Sequence, residues 1–216
     1  MNKPVVSFSR FAAALFVVAA LTVSAFADIV SVPFVKVDVN GYNNSTDKNT
    51  SGSLPGYNAA NFANATLTNT LNISPESGIS VTTTRITTKT NRDRANSNCD
   101  ALTNDFIFEN ATGNTVSSTI TGLVVGKEYS LTVYSHDTGS GASSASSWTL
   151  AQGEGAAVNI GTVTNDQSAH KTTDANTHLT YTFTAEANSV VLTGSIANGL
   201  VVLNGLELHL VILVLI

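Results

Sequence analysis

Residues 102–137 constrain the fold more than any other part of the chain, because they contain three strand-like runs in a row. The runs cover residues 105–109, 116–121 and 128–136, and Gly/Asn turn chemistry separates each run from the next. In the third run the sequence YSLTVY places Tyr, Leu and Val on one face and Ser, Thr and Tyr on the other, which is typical of a strand with one buried side. The segment predicts the centre of an antiparallel sheet.

The composition favours an all-β protein along the whole chain. Charged residues make up only 12% of it, and β-branched residues dominate the periodic stretches, where strong helix formers are scarce. About ten strand candidates follow one another between turns without β-α-β alternation, which favours an antiparallel β-sandwich of jelly-roll type. We predict one such domain over residues 28–208, followed by an apolar tail at 209–216.

Residues 1–27 have the organisation of a secretory leader. Lys3 and Arg10 supply a basic start, residues 11–23 form an apolar core that is short for a membrane span, and an Ala-Phe-Ala cleavage pattern ends at Ala27. The segment predicts cleavage after Ala27 and a secreted protein, extracellular or at the cell surface. An uncleaved N-terminal anchor is the alternative.

The charge balance narrows the range of partners. The full chain has a formal charge of -5, and loss of the two basic leader residues leaves 8 Lys+Arg against 15 Asp+Glu, a charge of -7. Nucleic acids and anionic membranes are bound through clusters of Lys and Arg, so we expect neither as a partner. The single Cys99 cannot form an internal disulfide, so packing and hydrogen bonds must hold the domain together unless Cys99 pairs between chains.

A polar site is predicted around residues 91–94, NRDR, in a chain that is otherwise poor in charge. Guanidinium groups bind carboxylates and sugar hydroxyls, although a solvated loop with a local ion pair gives the same pattern. A sugar site also needs an exposed aromatic ring; Trp148 is the candidate, with core packing as its alternative. The side chains predicted to bind a polysaccharide or surface glycan are Arg92, Arg94, Tyr134, His136, Asp137 and Trp148.

Catalytic signatures are absent from the sequence, which has no nucleophile elbow, metalloprotease motif, P-loop or dinucleotide fingerprint. We therefore predict a protein that is not an enzyme, while paired carboxylates for glycoside hydrolysis stay open among Asp105, Glu109 and Asp137. Calcium is the one cofactor that the sequence suggests, since it takes oxygen ligands and often holds jelly-roll loops together. Its candidate ligands are Asp38, Asn40 and Glu207, for which ordinary solvated side chains are the alternative.

The tail at residues 209–216 ends in seven consecutive apolar residues. It is too short to cross a bilayer, so we predict no membrane span in the mature chain. Three interpretations stay open: a last strand that extends into the core, a truncated anchor, or a frame error at the end of the gene. We favour the strand.

Two parts of the chain resemble known families. Residues 122–129, GLVVGKEY, resemble the GLxxGxxY turn and strand of fibronectin type III domains, which implies that the Tyr129 hydroxyl bonds back to the backbone in a structural role. More widely, the order NRDR, LTNDFIFEN, GLxxGxxYxLTVYSHD, Trp148, YTFTA and NGLVVLNGLEL is similar to the galactose-binding-like jelly-roll modules of secreted bacterial proteins, many of which carry PEP-CTERM type sorting tails. That resemblance implies polysaccharide binding or a structural spacer role. The chain departs from the pattern at its end, which has no Pro-Glu-Pro motif.

Overall fold

The computed structural model describes residues 27–41, 55–63, 65–74, 78–94, 98–139 and 144–215, so the predicted leader lies outside the described residues except for Ala27. The described part contains fourteen strands: β1 (Ala27–Gly41), β2 (Asn58–Phe62), β3 (Thr68–Ser74), β4 (Ile79–Arg85), β5 (Asn91–Asp93), β6 (Asp105–Glu109), β7 (Thr115–Thr121), β8 (Glu128–Tyr134), β9 (Ala145–Gln152), β10 (Val158–Thr164), β11 (His178–Thr184), β12 (Ser189–Asn198), β13 (Val201–Leu203) and β14 (Gly205–Leu215). A four-residue helix, α1 (Ala101–Asn104), precedes β6, and a single 3-10 turn (Ala175–Thr177) precedes β11.

These strands form two large sheets and one small sheet. The front sheet has the strand order β11-β8-β14-β1-β2, the back sheet β10-β9-β12-β7-β4-β3, and the small sheet β13-β6-β5. Every pairing among the described strands is antiparallel except that of β1 with β2, which is parallel. The predicted all-β sandwich of jelly-roll type is therefore confirmed, with one parallel pair that the sequence did not predict.

The main hydrophobic core lies between the front and back sheets. Burial alternates with position along β4 and β7, so every second side chain faces inward. In β8, Tyr129, Leu131 and Val133 are buried, as the alternation predicts, and Tyr134 at the end of the strand is buried as well. Burying one such side chain contributes roughly 1.5–3 kcal/mol, which explains how the domain holds together without an internal disulfide.

The three strands of residues 102–137 do not lie side by side, and the prediction that they form the centre of one sheet is wrong. β6 belongs to the small sheet, β7 to the back sheet and β8 to the front sheet. Their partners are distant in sequence: β7 pairs with β4 and β12, and β8 pairs with β11 and β14. Alternation shows which face of a strand is buried but not which strand lies beside it.

Four elements occupy places where the sequence pattern had not indicated regular structure: β2, β5, β9 and α1. β9 begins in a Ser-rich tract of low β-propensity, yet it is held on both edges by β10 and β12. α1 is capped by Asp100, whose carboxylate accepts a hydrogen bond from the Thr103 backbone N–H at 3.1 Å. Strand pairing explains β9 and the Asp100 cap explains α1, neither of which residue propensity alone predicts.

The Tyr129 side chain holds the turn before β8 in place. The Tyr129 hydroxyl accepts a hydrogen bond from the Val124 backbone N–H at 3.0 Å, and the ring stacks on Phe183 with centroids 5.9 Å apart. Gly122 and Gly126 both have positive φ, at +86° and +82°, which a residue with a side chain rarely adopts. The structural role predicted for Tyr129 is confirmed.

The apolar tail is part of the last strand. β14 runs to Leu215 and pairs antiparallel with β1 as far as the Ala27–Leu215 pair, which agrees with the extended-strand interpretation. No helix in the described part of the chain is both long and apolar enough to span a membrane.

Candidate functional site

The small sheet carries a second apolar cluster on the face turned away from the main core. Phe106 and Phe108 of β6 meet edge to face with centroids 6.1 Å apart, and both are buried beside Val202 of β13. Leu200 packs against them and stays partly exposed. Ile107, between the two phenylalanines, belongs to the main core instead, so β6 contributes to both clusters.

Two arginines cover this second cluster. The Cζ atom of Arg92 lies 4.9 Å from the Phe108 ring centroid, and that of Arg94 lies 5.7 Å from the Phe106 centroid. The two arginines are two positions apart along an extended segment, so their side chains leave the same face. A flat guanidinium group that stacks on an aromatic ring keeps its N–H groups available for a ligand.

Asp137 fixes Arg94 from the opposite side of the site. The Nε and Nη2 atoms of Arg94 each lie 2.6 Å from an oxygen of the Asp137 carboxylate, and the Gly139 backbone N–H donates to that carboxylate at 2.9 Å. The Asp137 side chain is only 2% exposed, so it positions Arg94 rather than meeting a ligand itself. A Cβ atom at Gly139 would lie 2.5 Å from Arg94 Cζ, so a larger residue at this position would displace the Arg94 side chain.

These side chains enclose an open pocket of about 180 Å³, which we call the arginine pocket. Its lining consists of Arg92, Arg94, Phe108, Asp137, Gly139 and Leu200. The volume is below the range of about 300–1,000 Å³ that is usual for drug-sized ligands, so the pocket suits a single small unit of a larger ligand. Three of the six predicted glycan-binding residues meet here, and no sequence pattern had indicated the other lining residues.

Asp137 reaches the pocket because the chain leaves the front sheet at the end of β8. The Asn204 side-chain oxygen accepts the backbone N–H of His136 at 2.6 Å, and the Asn165 oxygen accepts that of Asp137 at 3.2 Å. The Asn204 amide also donates to the Asp105 carbonyl at 3.1 Å. Asn204 therefore ties the end of β8 to the start of β6, and with it the front sheet to the small sheet.

Trp148 does not reach the arginine pocket, and its interpretation as an exposed sugar platform is wrong. It is fully buried in the main core, because it alternates with Leu150 on the inner face of β9, a strand paired on both edges. Gly194 lies opposite it on β12, where a Cβ atom would come within 2.7 Å of the indole ring. The indole therefore occupies the space that a side chain at Gly194 would fill.

Tyr134 and His136 are also withdrawn from the surface, so their prediction as accessible ligand residues is wrong. The prediction continued the strand alternation through His136, but β8 ends at Tyr134. The Tyr134 ring is 8% exposed and packs against His178 with centroids 5.5 Å apart. His136 is fully buried, and neither ring nitrogen has a hydrogen bond of ordinary geometry among the described residues.

Burial lowers the pKa of His136, although the Ala169 backbone and the Asp137 carboxylate favour the protonated form and partly offset the effect. The folded protein therefore keeps this imidazole neutral at a pH where an unfolded chain would protonate it. Hydrogen bonds from the Ser168 side chain and backbone lower the pKa of Asp166, so that carboxylate is protonated only at a more acidic pH than usual.

We expect the free energy of unfolding to fall as the pH drops below about 6.5, the ordinary pKa of histidine. Below that pH the unfolded chain binds a proton at His136 that the folded protein does not bind, so acid favours unfolding. Urea titrations at pH 7.5 and 5.5, above the range in which Asp166 is protonated, measure the effect. His136→Gln should show a smaller loss of stability between the two pH values than the wild type, and an equal loss would contradict the expectation.

The calcium candidates Asp38, Asn40 and Glu207 lie on one face of the front sheet. Asp38 and Asn40 are buried, and the Glu207 carboxylate is contacted by Lys36 Nζ at 3.6 Å and by His209 Nε2 at 2.8 Å. Within the described residues, no group of three or more His, Cys, Asp or Glu side chains is placed to hold a metal ion. Calcium binding stays a prediction.

The carboxylates considered for glycoside hydrolysis do not face one another across the arginine pocket. Of Asp105, Glu109 and Asp137, only Asp137 lines it. Glu109 turns toward the loop after β4, where the backbone N–H groups of Ile86 and Thr87 donate to its Oε1 at 2.9 and 2.6 Å. These contacts give Glu109 a structural role.

No protein-family model matches the chain, and no curated protein matches it in sequence. Among solved structures it is similar to the CBM22-1–GH10 modules of endo-1,4-β-D-xylanase 10B from Clostridium thermocellum, complexed with xylohexaose, with 10% identity, a TM-score of 0.38 and coverage of 66% of this chain and 26% of that chain. It is also similar to the enzymatically active domain of tailspike protein 4 of bacteriophage CBA120, with 18% identity, a TM-score of 0.24 and coverage of 63% and 18%. The match thus spans about a quarter or less of each of those chains.

The sheet order and the lining of the pocket define the class of this protein. It is an all-β sandwich of jelly-roll type with an arginine-lined pocket on its small third sheet. The assignment of a ligand rests on the geometry of that pocket.

Proposed function

We propose that this protein is a secreted, non-catalytic β-sandwich module that binds carbohydrate at the arginine pocket and acts as an adhesive or glycan-binding module at the cell surface. The supporting observation is that Arg92, Arg94 and Asp137, three of the six residues that the sequence predicts for a glycan site, line one concave site. Guanidinium N–H groups donate to sugar oxygens. The partly exposed Leu200 offers an apolar contact for the C–H face of a sugar ring.

Glycan binding is tested by a glycan array and by pull-down with insoluble polysaccharides, each with calcium and with a chelator. We expect Arg92→Ala to weaken binding of the retained glycan by about tenfold, because charged hydrogen-bond donors are the stronger ones. Lys127→Ala is the matched control, since it removes an exposed cation at the turn before β8, and it should bind like the wild type. Retention of no glycan, or equal binding by Arg92→Ala, would contradict the proposal. A loss of binding in chelator would support the calcium prediction.

A purely structural extracellular role is the second candidate. The observation that favours it is the full burial of Trp148, which leaves the arginine pocket without a large exposed aromatic platform. This role predicts that no glycan is retained by the wild type. A glycan hydrolase is the third candidate, and it predicts release of reducing ends from a bound polysaccharide, which the same pull-down can measure.

A further inference from the structure

The arginine pocket carries an excess positive charge in a protein whose net charge is -5. Arg94 is neutralised by the two-point contact with Asp137. Arg92 is exposed and forms no ion pair with any carboxylate in the described ranges, and its guanidinium group lies over the Phe108 ring. One guanidinium charge at the rim of the pocket is therefore uncompensated by those residues.

Hydrogen-bond donors are also in excess at this site. A guanidinium group has five N–H donors and no acceptor, and Arg94 uses only its Nε and Nη2 atoms to bind Asp137. Among the lining residues that the structure describes, Asp137 is the only carboxylate, and it is occupied by Arg94 and by the Gly139 N–H. The pocket therefore presents donors to a ligand, and its complement is a ligand group that accepts hydrogen bonds and carries negative charge.

The arginine side chains are held in place before a ligand arrives. Arg92 and Arg94 each stack on a buried phenylalanine, at 4.9 and 5.7 Å from the ring centroids. A guanidinium group that is already stacked on a ring loses less conformational entropy on binding an anion than a freely rotating lysine side chain would. Planar guanidinium groups bind carboxylates and related oxyanions through two parallel hydrogen bonds.

We propose that the arginine pocket selects an anionic sugar unit, such as the carboxylate of a uronic acid or a sulfate ester, over the corresponding neutral sugar. This inference rests on the proposed carbohydrate-binding function. Arg92 donates to the anion, and Arg94, positioned by Asp137, lies beside it as a second donor. The site offers one uncompensated charge in a small volume rather than a basic stripe, which distinguishes it from a nucleic-acid surface.

The selectivity is tested with an acidic trisaccharide, its uncharged ester and a sulfated analogue. The wild-type protein is titrated by calorimetry with a trisaccharide of galacturonic acid, with the methyl ester of that trisaccharide, and with a sulfated galactose trisaccharide. We expect the acid to bind about tenfold more tightly than its ester, because the ester keeps the sugar rings but not the charge. Stronger binding of the sulfated ligand than of the acid would identify a sulfate as the preferred anion.

Two variants assign that preference to Arg92. Arg92→Gln should bind the acid and the ester with similar affinity, and Arg92→Lys, which keeps the charge without the fork, should fall between Arg92→Gln and the wild type. Circular dichroism is used to check that both variants fold. Equal binding of acid, ester and sulfated ligand by the wild type, or a preference that survives in Arg92→Gln, would overturn the inference and leave carbohydrate binding intact. Failure to bind any sugar here and in the pull-down would reject the proposed function itself.

Discussion

Replacing Trp148 with alanine is expected to lower the free energy of unfolding by about 3–5 kcal/mol, the usual cost of truncating a buried large aromatic residue. The indole is fully buried between the two large sheets and fills the space left by Gly194 on the neighbouring strand. β10 and β12 flank its strand on both sides, so the back sheet cannot easily close over the cavity. Urea unfolding followed by far-ultraviolet circular dichroism measures the loss without depending on the single tryptophan.

Ile86→Ala is a suitable control for the Trp148 variant. The Ile86 side chain is 52% exposed, so its truncation should change the free energy of unfolding by no more than about 0.5 kcal/mol. Trp148→Phe should lie between the control and Trp148→Ala, since it keeps part of the ring volume. A Trp148→Ala protein that is as stable as the wild type but no longer retains glycan would contradict this prediction and favour an exposed platform after all.

Replacing Asn204 with alanine is expected to cost about 2–6 kcal/mol of unfolding free energy, because two buried backbone groups lose their partners at about 1–3 kcal/mol each. These groups are the His136 N–H and the Asp105 carbonyl, which the Asn204 side chain joins at 2.6 and 3.1 Å. The two backbone hydrogen bonds of Asn204, to Tyr134 and Val39, are not removed by the substitution. The loss therefore reports on the side chain alone.

Asn204 also sets the route of the chain toward Asp137, so we expect Asn204→Ala to bind glycan more weakly even at temperatures where it stays folded. Thermal unfolding and the polysaccharide pull-down measure the two effects separately. Asn176→Ala, which removes an exposed amide that donates to Asp166, is the matched control and should change neither by much. Wild-type stability in Asn204→Ala would show that the junction of the sheets does not depend on this side chain.

Much of the strand pattern could be predicted, because it depends on neighbouring residues. The predicted strand at 105–109 coincides with β6 and the one at 116–121 lies within β7, since Gly and Asn turn residues separate the two runs. The inward face of β8 followed from alternation. The hydrogen bond of the Tyr129 hydroxyl followed from a turn motif, because its donor, the Val124 N–H, is only five residues away. Arg92, Arg94 and Asp137 were identified because charged residues are rare in this chain.

Local alternation, turn chemistry and composition were enough to predict the all-β class, the buried face of β8 and the charged members of the candidate site. The tertiary structure alone decided which strands pair, as with β1 and β14 at opposite ends of the described chain. It also decided that Trp148 lies in the core, and that Asn204 joins two sheets. These outcomes depend on hydrogen bonds and packing between segments that are far apart in sequence. A local sequence pattern carries no information about such contacts.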